Sequence, residues 1–393
     1  PRGAGLPACL VADYPFGKAP VDGAPRVHGL SSHPAWQCHV FYAHEVGLGI
    51  DLQAAELLLR DAAARGALRD SRRIPHLNFR QPPLRLALDA APVAFDGFSS
   101  SGTVFVTLYE FGAASVRYTL GCPDLDRLLA LSISLERREQ LKDDSRRRVE
   151  ELLDAIKAAV NRPRLAPVPE DYFVFRPAAE DGAAAVPPGE LLARSRHRLA
   201  QLLRAETATL SEEEVDDALS ARIAYRDDDL AIIDWNSAVV VGREVEDVLA
   251  VLEYANVSLL ELRWLDDQLD RLIDQSYDKL MHRGPGSRFR RGFPLMPDRE
   301  ARRVAEYQID GTLLFEAVSN ALKLIGDPFL ARLYRLAAQR LHLGEWDDSI
   351  RRKLQVLDSI YEKMADRAST RRLEVLEWII ILLIALSIIP MFT

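Results

Sequence analysis

The sequence predicts an α+β N-terminal part followed by an all-α part of coiled-coil character and one C-terminal transmembrane helix. Three observations carry that expectation. Residues 103–109 (TVFVTLY) and 114–120 (ASVRYTL) are β-branched and aromatic runs joined by Glu110, Phe111, Gly112 and Ala113, the pattern of a hairpin with glycine in its turn. Apolar residues recur by threes and fours over 245–280 and again from Ile350, the spacing of helices that pair along a seam. Residues 379–389 are apolar on every side of a helix apart from Ser387, which leaves no face for water.

Taken in order, residues 1–34 are rich in Pro, Gly and Ala without a sustained period and read as an extended or disordered arm. Residues 37–46 (QCHVFYAHEV) read as a strand, and 52–65 (LQAAELLLRDAAAR) as a helix with Asp51 at its N-cap. After the hairpin, Asp124 caps a helix over 124–135 whose Leu125, Leu128, Leu129 and Ile133 turn inward. The charge-dense stretch 136–164 suits a solvated helix, and 172–175 (YFVF) is a further strand. Together these elements make an α+β domain over 35–190, an antiparallel sheet with helices on one face.

From 191 to 375 the expectation is a helical domain. Residues 209–224 read as an acidic helix, whereas 227–241 (DDDLAIIDWNSAVVV) joins a polar turn to an apolar run too short to separate helix from strand. Val245, Val248, Leu252, Ala255, Leu259, Leu262, Leu269 and Ile273 mark one long helix, which the prolines and glycines of 283–297 end. Further helices follow over 298–324 and 329–343, separated by Gly326, Asp327 and Pro328. The last helix carries a seam of Ile350, Leu354, Leu357, Tyr361 and Met364 that continues through Ala368, Arg371, Val375 and Trp378. Each buried leucine of such a seam contributes about 1.5–3 kcal/mol, so the seam needs a partner. A second copy is one candidate, giving a homo-oligomer, and the heptads of 245–273 are the other.

The seam runs without a break into 376–392, the expected membrane anchor, represented by Trp378, Ile380, Leu383 and Ile388. At 1.5 Å per residue this segment reaches about 25 Å against a hydrocarbon core of roughly 30 Å. Arg371 and Arg372 precede it and no Lys or Arg follows. The positive-inside bias then gives a single-pass membrane protein with the bulk of the chain on the cytoplasmic, or matrix-like, side, and the lipid bilayer as its first partner.

Composition narrows the chemistry. A chain of 393 residues, 48% hydrophobic, has ample material for a sizeable core, and a net charge of -8 argues against indiscriminate nucleic-acid binding. Cys9, Cys38 and Cys122 form no paired framework. No GxxxxGK[ST], GxGxxG or GxSxG motif is present, so no cofactor, no small-molecule substrate and no activated nucleophile is inferred, and the chain is expected not to be an enzyme. His28, His33, Cys38, His39, His44 and Glu45 crowd together in sequence, as do Asp227, Asp228, Asp229 and Asp234, yet neither group has HExxH or paired CxxC spacing. A soluble metalloenzyme is accordingly the least favoured alternative. Arg288, Phe289, Arg290 and Arg291, with Phe293, interleave guanidinium and aromatic groups between two helices. That combination can grip phosphate, meet anionic headgroups, or stack on unpaired bases of RNA.

The segments TVFVTLYEFGAASVRY, LIGDPFLARLY and RRLEVLEWIIILLIALSII, spread over about residues 37–392, resemble the required-for-meiotic-nuclear-division family, a domain of unknown function with bacterial and mitochondrial members. The resemblance implies no catalytic residues. It implies a self-associating membrane protein, and its mitochondrial members support organelle translation at the inner membrane. The expected function is thus a non-enzymatic membrane-anchored scaffold that self-associates through its C-terminal heptads. The alternative is an RNA- or ribosome-tethering module using the arginine-rich tip.

Overall fold

One eight-stranded sheet dominates the computed structural model, which describes residues 36–63, 82–178, 187–242, 245–281 and 327–388. The strands in chain order are β1 (Trp36–Glu45), β2 (Gly49–Ile50), β3 (Leu84–Asp89), β4 (Ala94–Phe95), β5 (Phe98–Ser99), β6 (Thr103–Leu108), β7 (Ala113–Cys122), β8 (Val160–Asn161), β9 (Glu170–Pro177), β10 (Arg222–Ile223), β11 (Leu230–Ile233) and β12 (Ser237–Val241). The helices are α1 (Leu52–Ala63), α2 (Leu125–Arg137), α3 (Gln140–Ile156), α4 (Pro188–Arg204), α5 (Glu212–Ala218), α6 (Glu246–Met281), α7 (Pro328–Arg340) and α8 (Leu343–Ile388). The sheet order is β10-β11-β12-β9-β1-β7-β6-β3. Every neighbouring pair is antiparallel except β12 with β9, where Ala238 sits parallel to Val174.

The chain divides into a sheet unit, residues 1–261 with 320–343, and a helical unit, residues 262–319 with 344–393. In the sheet unit, period-two alternation sorts β1 into two faces. Cys38, Val40 and Tyr42 join the main core with Val106, Val116, Phe173, Phe175 and Val239, packed by leucines of α1 to α4 such as Leu59, Leu128, Leu152 and Leu199. The opposite face carries His39, Phe41, Ala43 and Glu45, and it lies against the first half of α6 and α7. Arrangement in three layers, helices on both sides of a mixed sheet, follows from two buried faces.

Local chemistry explains several elements. Asp124 caps α2 by accepting the Arg127 amide at 2.7 Å, and Asp51 caps α1 through the Ala54 amide at 3.0 Å. The β6–β7 hairpin turns at Gly112, whose φ of +110° suits glycine; a Cβ there would stand 1.7 Å from the Gly47 carbonyl oxygen. Gly112→Ala is therefore expected to lower the unfolding free energy by more than about 1 kcal/mol, read as a lower denaturation midpoint of the sheet unit.

The structure corrects the expected fold class. This is a mixed α/β protein whose large sheet draws β10, β11 and β12 from 222–241, inside the stretch assigned to an all-α part. Runs of four or five apolar residues carry too little period to be told from a helix, and their partner β9 lies some sixty residues earlier. The stretch 136–164 is also no purely solvated excursion. Tyr118 donates to Asp144 Oδ2 at 2.8 Å, Arg148 Nε meets the same oxygen at 2.6 Å, and Leu141 and Val149 are buried.

The membrane anchor over 376–392, the transmembrane keyword and the single-pass localisation with a cytoplasmic or matrix-like bulk are likewise corrected. Among the described residues no helix is long and apolar enough to cross a membrane. In α8 the apolar run from Trp378 to Ile388 spans about 16 Å. Reaching further back in the helix brings in Glu377, Glu374, Arg372 and Arg371, whose charges are costly in hydrocarbon.

In the helical unit, α8 runs beside the end of α6. Lys353 Nζ lies 2.8 Å from Asp266 and 2.6 Å from Asp270, Ser349 donates to Asp266 at 2.9 Å, and Arg263 stacks over Trp346 at 5.5 Å. Ile350, Leu357 and Ile360 are buried, while Leu354 and Tyr361 are half-buried. The side chain of Met364 lies outside the described residues.

Candidate functional site

The polar groups of the second sheet face converge on one place. Strand alternation sets His39 on β1, Arg117 and Thr119 on β7, Arg85 on β3 and Arg176 on β9 toward α6. Glu246 and Glu253, seven residues apart on α6, face them one above the other. Arg117 Nη1 donates to Glu246 Oε2 at 3.0 Å and Arg85 Nη1 reaches the same oxygen at 3.5 Å, while Arg85 Nη2 donates to Glu253 at 3.1 Å. Arg117 also lies over the Phe105 ring, 4.6 Å from its centroid.

Electrostatics follow from burial. The His39 imidazole, bonded through Nδ1 to the Thr119 hydroxyl at 3.1 Å, is pushed down to about 3 by burial and then by Arg117, so it is neutral at physiological pH. Burial works to raise Glu246, yet Arg117 and then Arg85 hold its carboxyl below the usual range. Several polar atoms of this layer have no hydrogen-bond partner: His39 Nε2, Arg117 Nε, Arg85 Nε and Glu253 Oε1.

Farther along the same face, Glu45 on β1 meets Glu261 on α6. Burial first, and each carboxyl's proximity to the other, raises Glu45 well above the usual carboxylate range, and burial raises Glu261 to about 7. Two carboxyls this deep and this near each other do not readily ionise together.

A third cluster ties the sheet edge to its helices. Asp234, at the β11–β12 turn and 0% exposed, accepts from Arg204 Nη1 at 3.1 Å, Arg340 Nε at 3.0 Å and the Trp235 amide at 2.8 Å. Asp217 takes the outer nitrogens of both arginines, at 2.5 Å and 2.7 Å.

The residues singled out as metal ligands are dispersed by the fold. Cys38 and His44 point to one face of β1 and His39 and Glu45 to the other, so they share no centre. His44 instead bonds Ser145 at 2.9 Å. Asp229 accepts the Tyr225 amide at 2.6 Å, at the opposite end of β11 from Asp234. Among the described residues no group of three or more His, Cys, Asp or Glu side chains could hold a metal ion. His28, His33, Cys9 and the arm over 1–34 lie outside the described residues, as does the arginine-aromatic tip Arg288, Phe289, Arg290 and Arg291. In α8, Ile380 is described and exposed, whereas the side chains of Trp378, Leu383 and Ile388 lie outside the described residues.

Sequence reading missed the arginine–glutamate layer. Its signal was present as polar residues on period two within apolar strands, His39 with Glu45 and Arg117 with Thr119, and as acids seven apart in the largely apolar first turns of a long helix.

A mixed sheet between helical layers, with charged groups sealed against one long helix, defines an α/β domain with a polar interior on one face of its sheet. The chain belongs to the family described as Uncharacterized protein MJ0711, N-terminal domain, which matches residues 36–247. That span takes in every described strand and ends at the first turn of α6, where Glu246 sits. Uncharacterized protein MJ0711 of Methanocaldococcus jannaschii is 25% identical over 204 residues, covering 51% of this chain. The chain covers 61% of the length of that relative. No solved structure matches. These matches correct the resemblance to the required-for-meiotic-nuclear-division family: the family shown is a different one, and nothing in the comparisons links the chain to meiotic division proteins.

Proposed function

We propose that the chain is a non-catalytic assembly module whose sheet domain carries a long helix, α8, that associates with α8 of a second copy. The observation that carries this reading is the exposure of three consecutive isoleucines, Ile379 at 41%, Ile380 at 48% and Ile381 at 48%. Successive helix residues point about 100° apart, so three in a row spread over more than half of the circumference. A single neighbour within the chain covers one stripe, so an exposed arc this wide leaves room beside it for the helix of another copy. The 46 residues of α8 and the heptad positions Ala368, Arg371, Val375 and Trp378 leading into this run favour a second copy as the occupant.

The buried ionisable groups support a non-catalytic reading as well. Glu246 faces Arg117, Asp234 faces Arg204 and Arg340, and His44 faces Ser145, so each is held by a structural partner.

Sedimentation of the full chain tests the proposal. Burying an isoleucine contributes about 1.5–3 kcal/mol, so Ile380→Glu with Ile381→Glu is expected to weaken association at least about a hundredfold and yield monomers. The denaturation midpoint of the sheet unit should stay where it was, because both positions are exposed. An unaltered sedimenting mass would remove the proposal.

A further inference from the structure

We propose that Arg117, Arg85 and His39, at the start of α6, form a binding site for a phosphate group, and that the carboxylate of Glu246 occupies this site in the unliganded chain. This site is independent of the association of α8.

The charge count is the first argument. Among the described residues around Glu246, Arg85, Arg117 and Arg176 bring three positive charges, Glu246 and Glu253 two negative, and His39 is neutral, an excess of one positive charge at this end of the face. Arg176 uses its Nε on the adjacent Pro177 carbonyl at 3.4 Å, and no carboxylate among the described residues lies within ion-pair distance of it. Burying a surplus of guanidinium is costly unless an anion joins it.

Hydrogen-bond geometry is the second. Both arginines converge on a single oxygen of Glu246, Arg117 at 3.0 Å and Arg85 at a long 3.5 Å. Around them the donors Arg117 Nε and Arg85 Nε are unmatched, as is His39 Nε2, on the side of the ring away from Thr119. In the tautomer in which Nδ1 accepts from the Thr119 hydroxyl, His39 Nε2 carries the hydrogen and is a further donor. His39 and Arg117 are both more than nine-tenths buried, so water does not offset these omissions. One carboxylate oxygen cannot serve so many donors, whereas the tetrahedral oxygens of a phosphate match two guanidinium forks and an imidazole.

Glu246 is built to leave. Its side chain is 62% exposed while that of Arg117 beneath it is 5% exposed, and it stands in the first turn of α6, where the helix dipole favours any anion. Of the two partners Glu246 is the one that can turn into solvent, since Arg117 is held beneath it.

Titration of the full chain with inorganic phosphate at matched ionic strength, with chloride as control, tests the site. Glu246→Gln is expected to bind phosphate at least about tenfold tighter than the parent chain, as removal of a tethered competitor requires. Adding Arg117→Met should abolish that gain, and phosphate should shift the His39 imidazole resonances in Glu246→Gln. Equal affinity in parent and Glu246→Gln, or a gain that survives Arg117→Met, would overturn the proposal. Should the double variant fail to fold, the His39 resonances in Glu246→Gln decide alone, and their indifference to phosphate overturns it.

Discussion

Asp234→Ala is expected to lower the unfolding free energy of the sheet unit by about 3 kcal/mol. Removing one partner of a buried ion pair costs about 3–5 kcal/mol, because the opposite charge is left without compensation. Here two arginines, Arg204 and Arg340, lose the carboxylate between them, and the Trp235 amide loses its acceptor. The lower end of the range applies because Asp217 still holds both guanidinium groups. Burial lifts the Asp234 carboxyl above its usual range in spite of both arginines, so its desolvation is already a cost in the parent chain. Hydrogen exchange of β11 and β12 amides is the local readout. Unchanged protection there would show that Asp217 alone suffices to join α4 and α7 to this edge.

The second large effect is set by pH. Glu261 has a folded pKa of about 7 against 4.5 in the unfolded chain, and burial raises Glu45 well above its usual range as well. Between those values the folded state binds more protons than the unfolded state, so stability falls as pH rises from about 4.5 through 7. For Glu261 alone the loss amounts to about 3 kcal/mol. Glu261→Gln keeps the shape and places an uncharged amide beside Glu45. It is expected to be more stable than the parent by about 2–3 kcal/mol at pH 8 and nearly equal to it at pH 4.5. Denaturant titrations at the two pH values measure this directly, and parallel pH profiles for parent and variant would show that Glu261 does not carry the pH dependence.

How much of this molecule was legible in its sequence depended on how local each cause is. The β6–β7 hairpin was legible because Gly112 and the flanking alternation act within a few residues. So was α2, whose N-cap bond from Asp124 spans three residues. The candidate site was legible only in part. His39 and Glu45 stood out by residue type, but as members of a histidine-rich group that β1 splits between two faces. Val245, Val248, Leu252 and Ala255 suggested one seam on a coiled coil, whereas α6 is buried on every side from Val248 to Leu262. Tyr254 and Ser258 of that helix touch Tyr334 on α7, while Glu246 and Glu253 face the sheet.

The sequence by itself determined the strand periodicity of β1 and β7, the capped start of α2 and the glycine turn at 112, since period and cap chemistry are properties of neighbouring residues. Only the tertiary structure decided that β10 to β12 extend the sheet. Their sorting rests on the parallel pairing of Ala238 with Val174, which no local pattern encodes. It also decided which charges meet: Arg117 and Glu246 are 129 residues apart, and Arg340 and Asp234 are 106. Whether a charged side chain is solvated or buried depends on the partner that the fold brings to it, and the free energy that shifts its protonation arises only after that partner has displaced the water.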